Sequence, residues 1–145
     1  MPELDARAGV SPASEAWRLI GDLFHGQKHR FAAIASEFEL SPPQLWALRA
    51  LEPDEPSPMS CLAQSLKCDA SNVTGIVDRL QHRGLVERRA AEHDRRVKHL
   101  LLTDEGVELR QRLIERLDAP PAGIAALSPD EQAQLRDLLR RALEH

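Results

Sequence analysis

Residues 69–84 constrain the fold of this chain more than any other stretch, because they contain a complete amphipathic helix with a start and a stop. The stretch begins with Asp69, a residue that caps helices, and ends with Gly84. Its apolar residues recur at spacings of three and four and form one stripe: Val73, Ile76, Val77 and Leu80. The opposite face carries mostly short polar side chains, where an ordinary surface helix more often carries Lys and Glu pairs. The stretch is therefore either a plain surface helix or a helix whose polar face can lie against base edges in a major groove.

A second short helix is predicted directly before this stretch. Residues 61–66 form it, with Ser60 or Ser57 as its cap, and residues 67–68 make the turn before Asp69. Apolar side chains of the two helices are expected to face each other: Leu62, Ala63, Leu66, Val73 and Val77. This arrangement predicts a helix-turn-helix in which residues 69–84 are the recognition helix.

A β-hairpin is predicted directly after the recognition helix. Two short apolar strands surround a polar segment, residues 90–96, which carries Arg95 and Arg96 at its tip. We call this hairpin the wing. Its position would let the two arginines reach the phosphates or the minor groove beside the recognition helix.

The charge of the chain is unevenly distributed. The whole chain has a formal net charge of −4, which is unusual for a nucleic-acid-binding protein. However, residues 70–99 contain seven basic and four acidic residues, so this window is +3 and the rest of the chain is −7. Positive charge therefore collects in the recognition helix and the wing. The chain has few aromatic residues and no Tyr, which argues against a stacking platform for single strands.

One long helix is predicted ahead of this region. It runs from Pro12 to about Phe38, after a loose arm of residues 1–11. A helix of this length has more apolar surface than one small core covers, so part of it is expected to pack on a second copy of the chain. Ser41 and Gln44 then form a capping box that starts another helix.

The remaining elements complete a mainly α fold with a small β-hairpin wing. Met59 predicts a short strand, and Thr103 and Ser128 are expected to cap two closing helices. The fold class is therefore a winged helix-turn-helix domain with a helical dimerisation region. The predicted divisions are an arm and dimerisation helix at residues 1–38, a DNA-binding lobe at residues 39–103, and dimerisation helices at residues 104–145.

This order of elements resembles the MarR family (multiple antibiotic resistance regulator) of bacterial transcription regulators, over about residues 14–143. The most specific similarity lies in three segments: residues 69–80, 83–86 and 94–103. The resemblance implies a homodimer in which the first and the last two helices interlock. It also implies binding to pseudo-palindromic double-stranded DNA with half-sites about one helical turn apart, usually as a repressor released by a small molecule or by oxidation.

The resemblance also implies roles for individual residues. Base-facing positions on the recognition helix are Ser71, Asn72, Thr74 and Gly75, and phosphate-contacting positions are Arg79 and Arg83. DNA-binding positions on the wing are Arg88, Arg95, Arg96 and Lys98, and Asp94 matches an acid that holds a wing arginine in place. Gly75 costs the helix about 0.5–1 kcal/mol relative to Ala, and we interpret it as allowing close approach to DNA or to the helix packed behind.

A small-molecule effector is expected between the dimer base and the lobe. The candidate lining residues are Trp17, Phe24, His25 and Trp46, all of which also suit an aromatic core. His25 and His29 lie four residues apart and could share a metal ion, but no third ligand accompanies them in sequence. We therefore expect no metal and no cofactor.

The two cysteines, Cys61 and Cys68, leave one regulatory alternative open. A redox-sensing thiol needs exposure and a lowered pKa, whereas small buried residues suit these two positions, so core packing is the expectation. Two cysteines also fit a reducing compartment. No apolar run approaches the roughly 20 residues of a membrane span and no leader opens the chain, so a cytoplasmic location without membrane contact is expected.

Two other classes of function are disfavoured by the sequence. An enzyme would be expected to show a phosphate-binding loop, a nucleophile elbow or a zinc-protease helix, and none is present. A helical module that binds only proteins would not explain the seven basic residues gathered in the recognition helix and the wing.

Overall fold

The computed structural model of the chain describes residues 9–67 and 70–145, without the side chains of residues 70 and 71. Within them the helices are α1 (Pro12–His25), α2 (Lys28–Glu37), α3 (Pro42–Ala50), α4 (Met59–Leu66), α5 (Ala70–His82), α6 (Asp104–Asp118), α7 (Ala122–Ala125) and α8 (Pro129–Leu143). The strands are β1 (Ser57–Pro58), β2 (Val86–Ala90) and β3 (Lys98–Leu102). The predicted fold class is confirmed. The turn predicted at Cys68 and the cap predicted at Asp69 lie outside the described residues.

The single long helix predicted from Pro12 to about Phe38 is wrong, because the chain breaks it into α1 and α2. At the break, the N–H of Gln27 donates to the carbonyl of Phe24, a three-residue step in place of the four-residue step of an α-helix. Gly26 lies at this point. Glycine costs a helix interior about 0.8–1.0 kcal/mol relative to Ala, so the helix is weakest where it breaks.

The core of the lobe takes residues from almost every element between α2 and α6. Fully buried apolar side chains come from each of them: Ile34, Leu48, Leu62, Val77, Leu100 and Leu113. In contrast, α1 and α8 contain no buried residue. They carry large exposed apolar side chains instead, including Trp17, Phe24, Leu138 and Leu143. The two terminal helices therefore present apolar surface that the core of a single chain does not cover.

Most of the predicted helix caps are confirmed. The side chains of the predicted caps Ser41, Thr103 and Ser128 each accept a hydrogen bond from a first-turn backbone N–H, and Ser11 does the same ahead of Pro12. Ser41 and Ser128 both belong to complete capping boxes. Because each cap satisfies orphan donors within four residues of sequence, these helix starts are set locally.

The start of α4 differs from the prediction. The helix begins at Met59 and follows Pro58, which makes no side-chain cap hydrogen bond, so the predicted cap at Ser60 or Ser57 is wrong. The strand predicted at Met59 lies one residue earlier, at β1, where Ser57 pairs with Leu100. Pairing with the wing, rather than a side-chain cap, fixes this segment.

The wing is an antiparallel pair that is rigidly joined to α6. Val86 pairs with Leu102 and Ala90 with Lys98, and the sheet order is β1-β3-β2. Gly84 ends α5 with φ +73, a left-handed conformation that favours glycine. The hydroxyl of Thr103 then donates to the carbonyl of Gly84 at 2.5 Å, so the cap of α6 also holds the root of the wing.

Candidate nucleic-acid interface

The recognition helix, α5, is strongly two-sided. Val73, Val77 and Leu80 are buried on its inner face, and Ile76 is half-buried. The described residues on the opposite face are exposed: Asn72, Thr74, Gly75, Asp78 and Arg79. The predicted apolar stripe is therefore confirmed. The side chain of Ser71, the remaining predicted base-facing residue, lies outside the described residues.

Gly75 lies at the centre of the exposed face. It is two residues from both Val73 and Val77, which places it about 200° around the helix from each of them. A methyl group added at Gly75 would meet no atom of the described residues within 4 Å. The interpretation that Gly75 allows a second helix to pack behind it is therefore wrong. What remains is that the centre of the exposed face is left without a side chain.

Arg88 lies against the recognition helix, although its strand belongs to the wing. Its Nη2 lies 2.5 Å from Oδ1 of Asp78, and its Nη1 donates to Oε1 of Gln81 at 2.6 Å. Asp78 is the one acidic residue in the sequence of α5. Arg88 therefore offsets a charge that would otherwise repel phosphates, and it reaches the edge of the interface rather than the tip of the wing.

Arg83 makes contacts that the sequence did not indicate. Its Nη1 donates to the carbonyls of Phe38, at 3.0 Å, and Glu39, at 2.9 Å. Both acceptors lie just after α2, so the guanidinium ties the end of the recognition helix to the end of another helix. These partners are more than forty residues away in sequence, which is why no local pattern revealed them.

The tip of the wing carries Arg95 and Arg96, both exposed, as predicted. Oδ1 of Asp94 accepts a hydrogen bond of 3.0 Å from the backbone N–H of Arg96. Asp94 therefore supports this arginine through the main chain. Ala91 anchors the turn, since it is buried and its N–H donates to the carbonyl of Val97.

Among the described residues, four cations of this surface lack an anionic partner, in addition to Arg83, which two carbonyls engage. Within residues 9–67 and 70–145, no carboxylate forms an ion pair with Arg79, Arg95, Arg96 or Lys98. In the same surface, Arg88 pairs with Asp78 of α5, and Arg89 pairs with Glu87 of β2. The unpaired cations lie along α5 and the outer wing, where a polyanion would meet them together.

A cavity of about 530 Å³ adjoins the recognition helix. Apolar side chains of α3, α4 and α5 line most of it, including Trp46, Leu66 and Ile76, and Asn72 and Arg79 lie at its polar side. Of the four predicted pocket residues only Trp46 lines this cavity. Pro42 and Pro43 also line it, although their place at the start of a helix gave no sign of a pocket.

The other predicted pocket residues lie on the exposed side of α1. Phe24 continues an aromatic series, with its ring 5.6 Å from Phe31, which in turn lies 5.3 Å from Trp46. Nδ1 of His25 donates to the carbonyl of Gly21 at 2.7 Å, and Trp17 is 75% exposed. A single chain therefore brings Phe24 towards Trp46 but leaves Trp17 away from the cavity lining.

Three other features considered from the sequence are the cysteines, a metal site and a membrane span. Cys61 is exposed, so its predicted place in the core is wrong, while Cys68 lies outside the described residues. In the part of the chain that the structure describes, no three His, Cys, Asp or Glu residues are grouped as a metal site would require. Across the same part, none of the helices combines the length and apolar character needed to cross a membrane.

Ion pairs fasten α6 to the helices beside it. Arg116 donates to Glu37 twice, from Nε at 3.0 Å and from Nη2 at 2.7 Å. These hydrogen bonds lower the pKa of the Glu37 carboxyl below its ordinary value. Arg110 donates to the carbonyl of Arg49 and to Oε1 of Glu52, both at 3.2 Å. The middle and the C-terminal end of α6 are therefore held against the end of α3 and the end of α2.

A helix-turn-helix followed by an arginine-tipped hairpin defines a winged helix-turn-helix lobe. The same class emerges from comparison with known proteins, where the model of the MarR family matches residues 21–98, more than half of the chain. The chain belongs to the MarR family, as the resemblance predicted. Members of this family are transcription regulators rather than enzymes.

Individual relatives agree with this assignment. The chain is 39% identical over 90 residues to the transcriptional repressor MprA of Escherichia coli (strain K12), which covers 61% of this chain and 49% of MprA. It is 30% identical over 113 residues to the HTH-type transcriptional regulator YfiV of Bacillus subtilis (strain 168), and this match covers 75% of this chain and 71% of YfiV. A solved structure of a MarR family protein from Bacillus stearothermophilus matches with a TM-score of 0.78 and 25% identity, over 91% of this chain and 93% of that one. The chain thus spans about half the length of MprA.

Proposed function

We propose that this protein is a sequence-specific DNA-binding transcription regulator that acts as a homodimer on a pseudo-palindromic duplex. The observation that carries this proposal is the exposed face of α5, with short side chains at its centre and unpaired cations at its border. Short groups at the centre let the helix approach base edges, and cations at the border neutralise phosphates. A regulator of this kind acts where the chromosome is, which in bacteria is the cytoplasm.

The proposed contacts divide by chemistry. Ser71, Asn72, Thr74 and Gly75 would face the bases, and Asn72 carries the amide that pairs in bidentate fashion with adenine. Arg79, Arg95, Arg96 and Lys98 would contact phosphates or enter the minor groove. Asp94 and Arg88 would support this surface from within the protein, because both are already engaged there.

Dimerisation is supported by the exposed apolar side chains of the terminal helices. Trp17, Ile20 and Phe24 on α1 and Leu139 and Leu143 on α8 are all at least 40% exposed in a single chain. An apolar face of this kind is typical of an interface between copies. Two copies related by a twofold axis would place their recognition helices in successive major grooves, about one helical turn apart.

Repression relieved by a small molecule is the mode of regulation that we propose. The relative MprA is named a transcriptional repressor. The cavity beside α5 is of a size that holds small ligands, and Asn72 and Arg79 belong both to its lining and to the proposed DNA contacts. A molecule bound there would compete with DNA for these two side chains, which would release the operator.

The proposal is tested by titrating the purified protein onto the duplex upstream of its own coding sequence at several salt concentrations. Specific binding is expected, with log affinity falling linearly as log salt rises. Random duplexes of the same length and composition serve as the control. Weak binding of equal strength to every duplex would show that the protein does not read sequence.

Two substitutions separate the proposed kinds of contact. Arg96→Ala should weaken binding to all duplexes and reduce the salt slope by about 2, since a homodimer loses two phosphate contacts. Asn72→Ala should cost about 1–3 kcal/mol per half-site and relax specificity at particular base pairs. If Asn72→Ala weakens specific and random binding equally, Asn72 does not read a base.

A further inference from the structure

The end of α2 forms a bent corner, residues 37–39, that is held by more than its own chain. The backbone N–H groups of Phe38 and Leu40 both donate to the carbonyl of Ala35, which closes the helix. Glu39 then adopts φ +56, a left-handed conformation that non-glycine residues rarely occupy. Such a conformation persists where the surrounding structure imposes it, and it is found most often at functional positions.

Arg83, at the C-terminal end of the recognition helix, makes hydrogen bonds to this corner. The last carbonyls of a helix have no partner within the helix, and its C-terminal end favours a cation. The Nη1 of Arg83 meets both requirements, because it donates to the carbonyls of Phe38 and Glu39. Since Arg83 directly follows α5, this contact fixes where the C-terminal end of the recognition helix lies.

α6 also contacts the same corner. Arg116 makes two hydrogen bonds to Glu37, and the guanidinium of Arg112 lies 5.5 Å from the centre of the Phe38 ring. In addition, Arg30 of α2 donates to the carbonyl of Arg116 at 3.1 Å. α6 leads into the closing helices of the chain, so the corner joins the recognition helix to the part that would form the dimer base.

Arg79 shows what an arginine of α5 looks like when it is not held in this way. It lies one turn earlier, is exposed, and forms no ion pair with the described carboxylates. Arg83 has the same charge and directly follows α5, but its Nη1 is engaged by two carbonyls of the protein. A polyanion could therefore bind the guanidinium of Arg79 directly, whereas the guanidinium of Arg83 is already hydrogen-bonded within the protein.

We propose that Arg83 is a positioning residue, which clamps the corner at residues 37–39 and so sets the angle of the recognition helix relative to the dimer base. This inference rests on the proposed function. It replaces a phosphate contact at Arg83 with a contact inside the protein. A repressor that bridges two half-sites needs that angle to be the same in both subunits, because the spacing between recognition helices depends on it.

The test compares Arg83→Gln with Arg79→Gln, which removes the same charge four residues earlier, inside α5. Each variant is titrated onto the operator and onto random duplexes at several salt concentrations, and circular dichroism checks that it is folded. For Arg83→Gln, operator affinity should fall about tenfold, a typical coupling between sites, with the salt slope and random binding unchanged. For Arg79→Gln, the slope should fall by about 2 and all duplexes should weaken.

Two results would overturn the inference while leaving the proposed function intact. One is a loss of salt slope in Arg83→Gln equal to that in Arg79→Gln, which would make Arg83 a phosphate contact. The other is unchanged operator affinity in folded Arg83→Gln. If the wild-type protein itself binds no duplex specifically, the proposed function fails and the inference fails with it.

Arg83→Lys keeps the test decisive if Arg83→Gln does not fold. Lysine retains the charge that a phosphate contact needs, but its shorter chain and single nitrogen do not reproduce the reach of a guanidinium. The clamp predicts reduced operator affinity with an unchanged slope. Full operator affinity in Arg83→Lys would contradict it.

A double-mutant cycle tests whether the clamp acts through the corner. Glu37→Gln, in α2, removes the acid that Arg116 of α6 binds without altering the recognition helix. Glu115→Gln is the control, because it removes a surface acid of α6 whose side chain accepts a hydrogen bond from Gln111 rather than from the corner. Losses of operator affinity from Arg83→Gln and Glu37→Gln should combine to less than their product, whereas Arg83→Gln and Glu115→Gln should be independent. Independent effects in both pairs would refute coupling through the corner.

Discussion

Replacing Gly75 with Ala should make the protein more stable and a weaker DNA binder. A methyl group at this position meets no atom of the described residues within 4 Å, so it introduces no clash. Because Gly75 lies inside a 13-residue helix, removing its backbone freedom should stabilise the fold by about 0.5–1 kcal/mol. For a chain of this size that corresponds to about 1–4 °C in Tm.

The effect on binding should have the opposite sign. The methyl group would project from the centre of the face that we propose lies against the bases. Forcing a methyl into a close contact costs about 1–3 kcal/mol, and a homodimer would meet this cost at both half-sites. Operator affinity should therefore fall at least tenfold even though the protein is more stable. The salt slope should not change, since Gly75→Ala alters no charge.

Thermal melting and operator titration on the same preparation measure both effects. Gly123→Ala in α7 is the matched control, because a methyl group there also meets no described atom within 4 Å and the site lies outside the lobe. It should leave operator affinity unaltered. A Gly75→Ala protein that melts at a lower temperature would mean that Gly75 is required for packing. One that binds the operator as tightly as wild type would mean that the centre of this face stays away from the bases.

Two further substitutions test the fold and the assembly. Gly106→Ala should destabilise the protein by about 3 kcal/mol or more, because its methyl group would lie 2.0 Å from the backbone oxygen of Leu85, and an unchanged Tm would show that the wing root is not tightly joined to α6. Trp17→Glu should convert the dimer to a monomer in sedimentation equilibrium, since Trp17 is 75% exposed in a single chain. Dimers of undiminished stability in this variant would place the interface elsewhere.

Features that depend on neighbouring residues could be predicted from the sequence. The two capping boxes, the stripe on α5 and the left-handed Gly84 all follow from contacts or conformations within a few positions. The location of the wing followed because two short apolar runs around a polar segment are visible within the hairpin itself. These elements supplied the correct fold class and the correct face of the recognition helix.

Features that depend on distant residues could not be predicted. Arg83 and Arg88 carry the same charge as the other arginines nearby, and only the folded chain shows that they bind carbonyls or Asp78. Gly26 lowers the helix propensity of its segment by only a small amount, and tertiary packing can override a difference of that size. Cys61 lies in an eight-residue helix, too short for its periodicity to show which face is buried.

The strand order of the wing has a consequence for solubility. An exposed strand edge offers unpaired backbone groups to any other strand, and a hairpin that projects towards DNA, as we propose for the wing, cannot be hidden under a helix. Here β1 lies along one side of β3 and is only two residues long, with Pro58 contributing no N–H. The outer edge, β2, carries the charged residues Glu87, Arg88 and Arg89. The wing is thus protected on both sides from pairing with the wing of another molecule, so we expect its edges not to promote aggregation of the free protein at high concentration.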